Sequence, residues 1–179
     1  MREGKSYEFA LLRVDIAGNT ELVRRYPRAL ITTVYGFLRD LVTRIVEKRN
    51  GRVWSWEGDG GLAAFYFMDK TIQATLCGME IVHELTLQNL LSGALPEPLR
   101  VRLAVHAGPC RFTPSAKESG GETIRRIEML ESAYTAPGSL TVSPGVFTDL
   151  GSKLAPLFVA MPGPDNTSLF RYCLEWEKK

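Results

Sequence analysis

The chain has little of what builds disulfide or soft-metal sites. It carries three cysteines and two histidines among 179 residues. Cys77, Cys110 and Cys173 are scattered and odd in number, and their spacing matches no zinc pattern. They read as packing residues of a protein kept reduced, which points to a cytoplasmic location. His83 and His106 stand far apart without other soft ligands, so each reads as a structural histidine rather than a catalytic base. No apolar run approaches the roughly 20 residues that cross a bilayer, and "MREGKSYEF" lacks the apolar segment of a secretory signal. A net charge of +2 is too small to argue for nucleic acid or a membrane surface as a partner. Internal repeats, low-complexity tracts and long linkers are missing too. What is left is 45% hydrophobic and 23% charged, the composition of one soluble domain over 1–179 with a core from about 7 to 174.

The apolar run "YEFALLRVD" ends on Asp15 and reads as a buried strand. "AGNTEL" follows, with Asn19 or Thr20 as the expected N-cap of a short helix reaching about Tyr26. Leu30, Val34, Phe37, Leu38, Leu41, Val42, Ile45 and Val46 recur at helical spacing, and Asn50-Gly51 supplies a stop. Arg52–Glu57 and Leu62–Phe67 read as a hairpin turning at Gly58-Asp59-Gly60. Trp54 and Trp56 should share one face of its first strand as core residues, opposite Ser55. Asp69 can cap a helix carrying Ile72, Leu76, Met79, Val82 and Leu85 to about Leu91. "LRVRLAVHAG" alternates as a strand does, and "PCRFTPSAKESGG" shows no clear period. A helix from Glu122 to about Ala133, the short strand "LTVS", a short helix opened by Pro144 and a last strand "SLFRYCLEW" complete the chain.

The order β-α-α-β-β-α-β, then α-β-α-β, is an α+β class. It begins as a ferredoxin-like sheet backed by helices on one face. A right-handed crossover leaves the first two strands parallel, so their C-terminal ends share one edge of the sheet. Asp15 closes the first, and Asp59 sits at the tip after the second. Two ionised carboxylates a few Å apart need a compensating charge. A hard divalent cation supplies it, and Mg²⁺ commonly takes one or two carboxylates together with phosphate oxygens. The loop after Asp15 opens a helix whose free N–H groups suit phosphate. On spacing alone the other reading stays open: Asp15 as a helix cap and Asp59 as a turn residue.

"LLRVDIAGNTEL" resembles the first metal motif of class III adenylate and guanylate cyclases, and "GRVWSWEGDGGLAAF" resembles their second. "LRVRLAVHAGP", "GETIRRIEMLESA" and "APGSLTVSPGVFTDL" are similar to the later family segments, in order, over about Tyr7 to Tyr172. The resemblance implies a palm-type sheet and a nucleoside triphosphate as substrate. It also implies a homodimer with interfacial sites, metal aspartates coming from one subunit and transition-state residues from the other. Asp15 and Asp59 would hold two Mg²⁺ or Mn²⁺ ions, with the Ile16 carbonyl assisting. Ala17, Gly18, Asn19 and Thr20 would cradle phosphates. Arg102 falls where the family places a triphosphate-binding arginine; a solvated strand residue is its other reading.

The family pattern breaks at specific positions. Ser55 stands where the family reads its purine with lysine or glutamate, and Glu118 replaces that residue's aspartate partner. Arg125 and Met129 stand where the family has an asparagine and an arginine. Met129 can neither carry charge nor donate. Arg125, one turn away, could partly substitute for the missing cation if the helix were shifted, whereas Arg126 is turned aside on the helix. A basic surface patch is the other reading of both arginines. No lysine stands near Thr167, where the family has a last phosphate ligand. The metal half of the site is intact and the other half is altered. That leaves a divergent cyclase acting in cyclic-nucleotide signalling, or a cyclase-homology domain that dimerises and binds metal–nucleotide without turnover.

Overall fold

The first apolar run forms β1 (Ser6–Ile16) in the computed structural model, which describes residues 1–91, 97–113 and 121–174. Then come α1 (Asn19–Arg25), α2 (Arg28–Lys48), β2 (Arg52–Glu57), β3 (Gly60–Phe65), α3 (Lys70–Leu91) and β4 (Val101–Arg111). The second part holds α4 (Glu122–Tyr134), β5 (Ser139–Val142), α5 (Pro144–Asp149), α6 (Gly151–Leu154), β6 (Val159–Pro162) and β7 (Ser168–Cys173). The strands make one seven-stranded sheet in the order β2-β3-β1-β4-β5-β7-β6. β3 pairs antiparallel with both β1 and β2, so β1 and β2 run parallel with β3 between them. Their C-terminal ends share an edge, as the crossover requires.

Helices cover both faces, not one. Ala74, Ile81 and Val82 of α3 and Leu38, Leu41, Val42 and Ile45 of α2 share one buried cluster with Ala10, Leu12 and Val14 of β1, α3 lying on β1 and α2 on α3, β2 and β3. The alternate β1 residues Phe9 and Leu11 point the other way, onto Ile124, Ile127 and Leu130 of α4. The period of two along β1 thus feeds two cores. Gly108 of β4 lets α4 lie close, because a Cβ there would sit 2.9 Å from Thr123 Oγ1.

Several local expectations change. β6 is a four-residue, largely exposed strand on the sheet edge, and no alternation marked it. β4 runs on through Pro109 to Arg111, beyond the expected end at Gly108. β3 starts at Gly60 and ends at Phe65, leaving Phe67 68% exposed. Phe37 faces outward from the α2 stripe. A β-bulge between Val53 and Ser55 breaks the alternation of β2. Trp54 therefore packs with Phe9 and Phe112 on the α4 side, while Trp56 packs on the α2–α3 side. The two tryptophans do not share a face, because the extra residue at the bulge rotates the strand.

The cysteines are all free, and Cys77 and Cys110 are buried. Burial pushes the Cys77 thiol up to about 12, the signature of a packing residue. Among the described residues no helix is long and apolar enough to cross a membrane.

Candidate active site

Asp15 and Asp59 meet through backbone pairing. Asp15 sits opposite Gly60 in the β1–β3 ladder, and Ile16 N–H donates to the Asp59 carbonyl at 3.2 Å. The hairpin can come this close only because Gly60 lacks a side chain. A Cβ there would lie 2.4 Å from Val14 O and 3.2 Å from Asp15 Oδ1. Gly58, at φ 53, takes the left-handed turn that precedes Asp59. Burial, and then the neighbouring Asp15 carboxylate, hold Asp59 above the usual carboxylate range, although backbone and Asn19 hydrogen bonds pull it down.

Asn19 ties the loop after β1 to the pair. Its side chain hydrogen-bonds Asp59, and its Oδ1 accepts from the Tyr35 hydroxyl at 2.6 Å. The α1 N-cap is Gly18 in the left-handed conformation, without a side-chain cap, so neither Asn19 nor Thr20 caps the helix. Asn19 is its first residue, with its side chain turned to Asp59. The N–H of Ala17 is already taken by the Arg100 carbonyl at 2.9 Å. Of the expected phosphate cradle, Gly18, Asn19 and Thr20 open the helix.

Arg102 is not a solvated strand residue. It is the cross-strand partner of Asp15 and donates through Nη2 to Asp15 Oδ2 at 2.5 Å. Its Nε lies 2.8 Å from Oε1 of Glu131 on α4, an ion pair without the alignment of a hydrogen bond. Glu131 is 4% exposed, and Arg13 Nε stands 3.5 Å from its other oxygen. Burial and then Asp15 push the Glu131 carboxyl up, and Arg102 and Arg13 oppose them. The sequence reading missed Glu131. Its signal was an acid in register with Ile124 and Ile127, on the buried stripe of a helix.

One open cavity of about 410 Å³ collects Asp15, Asp59, Ser55, Arg125, Arg13 and Glu128. Ser55 pairs with Leu62 on the α4 face, so the expected base-reading position does open on the cavity. Arg125 is exposed on α4 and lines it, while Met129, one turn on, is half-buried and does not. Arg126 does not line the cavity; its charge is near enough to His106 to add to burial in holding that imidazole at about 4. Glu118 lies outside the described residues. The Thr167 hydroxyl donates to the Pro164 carbonyl at 2.6 Å. Among the described residues no cluster of three or more metal-ligating side chains occurs. Among the described residues Asp15 and Asp59 are the carboxylates that the β1–β3 pairing brings together, a donor pair that suits a hard cation also taking ligand oxygens.

No family model and no curated protein matches the chain by sequence. Its shape does find relatives. The guanylyl cyclase domain of the RhoGC fusion protein from the aquatic fungus Blastocladiella emersonii superposes with a TM-score of 0.78 at 16% identity, over 96% of this chain and 98% of that one. The adenylate/guanylate cyclase/hydrolase from Silicibacter pomeroyi gives 0.78 at 20% identity, over 96% and 99%. The chain has the fold of a class III nucleotide cyclase domain. The guanylate cyclase domain from Catenaria anguillulae, solved with GTP, gives 0.73 at 15% identity, over 94% and 96%. This cyclase fold keeps the α+β sheet, with helices packed on it, over nearly the full length of each relative.

Proposed function

We propose that the chain is a divergent nucleotidyl cyclase, turning a nucleoside triphosphate into a 3′,5′-cyclic nucleotide and pyrophosphate. The observation that carries this reading is the juxtaposition of Asp15 and Asp59 in a cyclase fold, on a cavity that Arg125 also lines. The two aspartates and the Ile16 carbonyl would hold two Mg²⁺ or Mn²⁺ ions, which supply a more acidic 3′-hydroxyl and charge neutralisation at the α-phosphate. Gly18, Asn19 and Thr20 offer backbone N–H groups to phosphate oxygens, and Arg102 adds a cation for the triphosphate. Arg125 donates to the charge that develops on the transferring phosphate, a role closed to Met129. The 3′-oxygen loses its proton to solvent and bonds to the α-phosphorus. The bond from that phosphorus to its bridging oxygen breaks, and pyrophosphate leaves. Ser55, short and neutral, gives a wider and less charged base site than lysine or glutamate would. The assembly in this reading is a homodimer paired through the α4 face.

Incubation of the pure protein with Mn²⁺ and each of the four common nucleoside triphosphates, beside Asp15→Asn, tests the enzyme. Cyclic product is expected from at least one, and none from the variant. Product from none of the four ends the reading. A second reading, a regulatory domain that binds metal–nucleotide without turnover, is favoured by Met129 and by Arg102 already pairing with Asp15. Its mark is a nucleotide-dependent rise in melting temperature without product, by mass action, that disappears in Asp59→Asn.

A further inference from the structure

We infer that Arg102 is the resident counter-cation of the ligand-free site and changes partner when the site fills, with Glu131 as its fixed anchor. The inference rests on the metal-site reading of Asp15 and Asp59. Arg102 spans two carboxylates of unequal character. At one end Nη2 holds Asp15 Oδ2 at 2.5 Å, and the Asp15 side chain, 18% exposed, opens on the cavity. At the other end Nε stands 2.8 Å from Glu131 Oε1, whose side chain is only 5% exposed.

The two ends are unequal in what they can release. Removing the guanidinium from Glu131 leaves a buried carboxylate whose remaining cation among the described residues is Arg13, at 3.5 Å. Removing it from Asp15 frees a carboxylate that faces solvent and that a divalent cation can take over. The exchange therefore runs at Asp15. The imperfect alignment at Glu131 fits an anchor that tolerates rotation of the guanidinium. Released from Asp15, the Nη atoms lie beside the metal carboxylate, where the polyphosphate of a bound nucleotide is negative and bidentate for a planar fork.

Two consequences follow. Arg102 competes with a divalent cation when the cation comes alone. It assists when polyphosphate comes too, because the arginine then has a second partner. Metal and nucleotide should bind with positive, reciprocal coupling, and that coupling should reside in Arg102 and Glu131.

The experiment is equilibrium binding of Mn²⁺, by electron paramagnetic resonance of the free ion, with and without α,β-methylene ATP or GTP. Wild type should bind Mn²⁺ weakly alone and on the order of tenfold more tightly with the analogue. Arg102→Gln should bind Mn²⁺ alone more tightly than wild type and lose the coupling. Arg102→Lys keeps the charge and should stay near wild type for Mn²⁺ alone. Glu131→Gln frees Arg102 to pair with Asp15 alone and should weaken Mn²⁺ binding. Equal Mn²⁺ affinity in wild type and Arg102→Gln, or weaker binding in the latter, overturns the exchange while leaving the metal site standing. Should Arg102→Gln fail to fold, absence of coupling in wild type overturns it. No Mn²⁺ binding by wild type or any variant overturns the metal site and the exchange together.

Discussion

At the scale of single residues, the site depends on a glycine as much as on its acids. Gly60 lets β3 press against the end of β1, and both atoms nearest its missing Cβ belong to backbone or to Asp15 itself. Gly60→Ala must push the strands apart, at a cost of about 1–3 kcal/mol, and it should remove Mn²⁺-dependent stabilisation by separating Asp15 from Asp59. Gly145→Ala, where a Cβ meets nothing within 4 Å, is the control. Urea unfolding of both variants checks this; equal stabilities would sink the close-approach argument. The positions of the aspartates were legible in the sequence because one lies at the end of an apolar strand and the other in a glycine-marked turn, and both are set by local pattern. The Arg102–Glu131 anchor was not, because it joins β4 to α4 by tertiary packing. Only the acid on the buried stripe of α4 hinted at it. Ser55 lines the cavity, and the tryptophans beside it lie on two faces rather than the one expected, since alternation cannot foresee a bulge.

At the scale of elements, β4 holds the site's arginine at one end and α5 near the middle. His106 Nδ1 meets Ser143 Oγ at 2.9 Å, at the start of α5. Burial, and then Arg126, lower its imidazole to about 4 from the usual 6.5, with Glu122 in opposition. Above pH 6.5 both folded and unfolded chains carry a neutral imidazole. Between 6.5 and 4 the unfolded chain takes up a proton that the folded one refuses, so stability is lost as pH falls through this window. From pH 7 to pH 5 the loss from this group is about 2 kcal/mol. His106→Gln should flatten that part of the pH profile of the urea midpoint, and an unchanged slope would remove His106 as its cause. The long elements were readable from hydrophobic period. β6 was not, because four residues on an edge, three of them exposed, carry no period.

At the scale of the whole molecule, Arg125 can serve the aspartates of its own chain or those of a second copy. One chain alone places Arg125 on the same cavity as Asp15 and Asp59. The interfacial arrangement proposed here instead completes each site with the α4 of a second copy. The alternatives differ in a mixing experiment with whichever triphosphate gives product. Asp15→Asn lacks the metal carboxylate, and Arg125→Ala lacks the phosphate donor, whose loss should cost about 10²–10³ in rate. Each variant alone should be nearly inactive. If sites form across a symmetric dimer, random exchange makes half of the dimers mixed. Each mixed dimer unites the intact aspartates of one chain with the intact Arg125 of the other, at one of its two sites. Activity should then return to about a quarter of the wild-type value, and dilution that dissociates the dimer should abolish it. A site contained in one chain gives no recovery at any mixing ratio, because every site in the mixture still lacks one of its two groups. Recovery therefore assigns α4 of each copy to the aspartates of its partner, and its absence assigns them to the same chain.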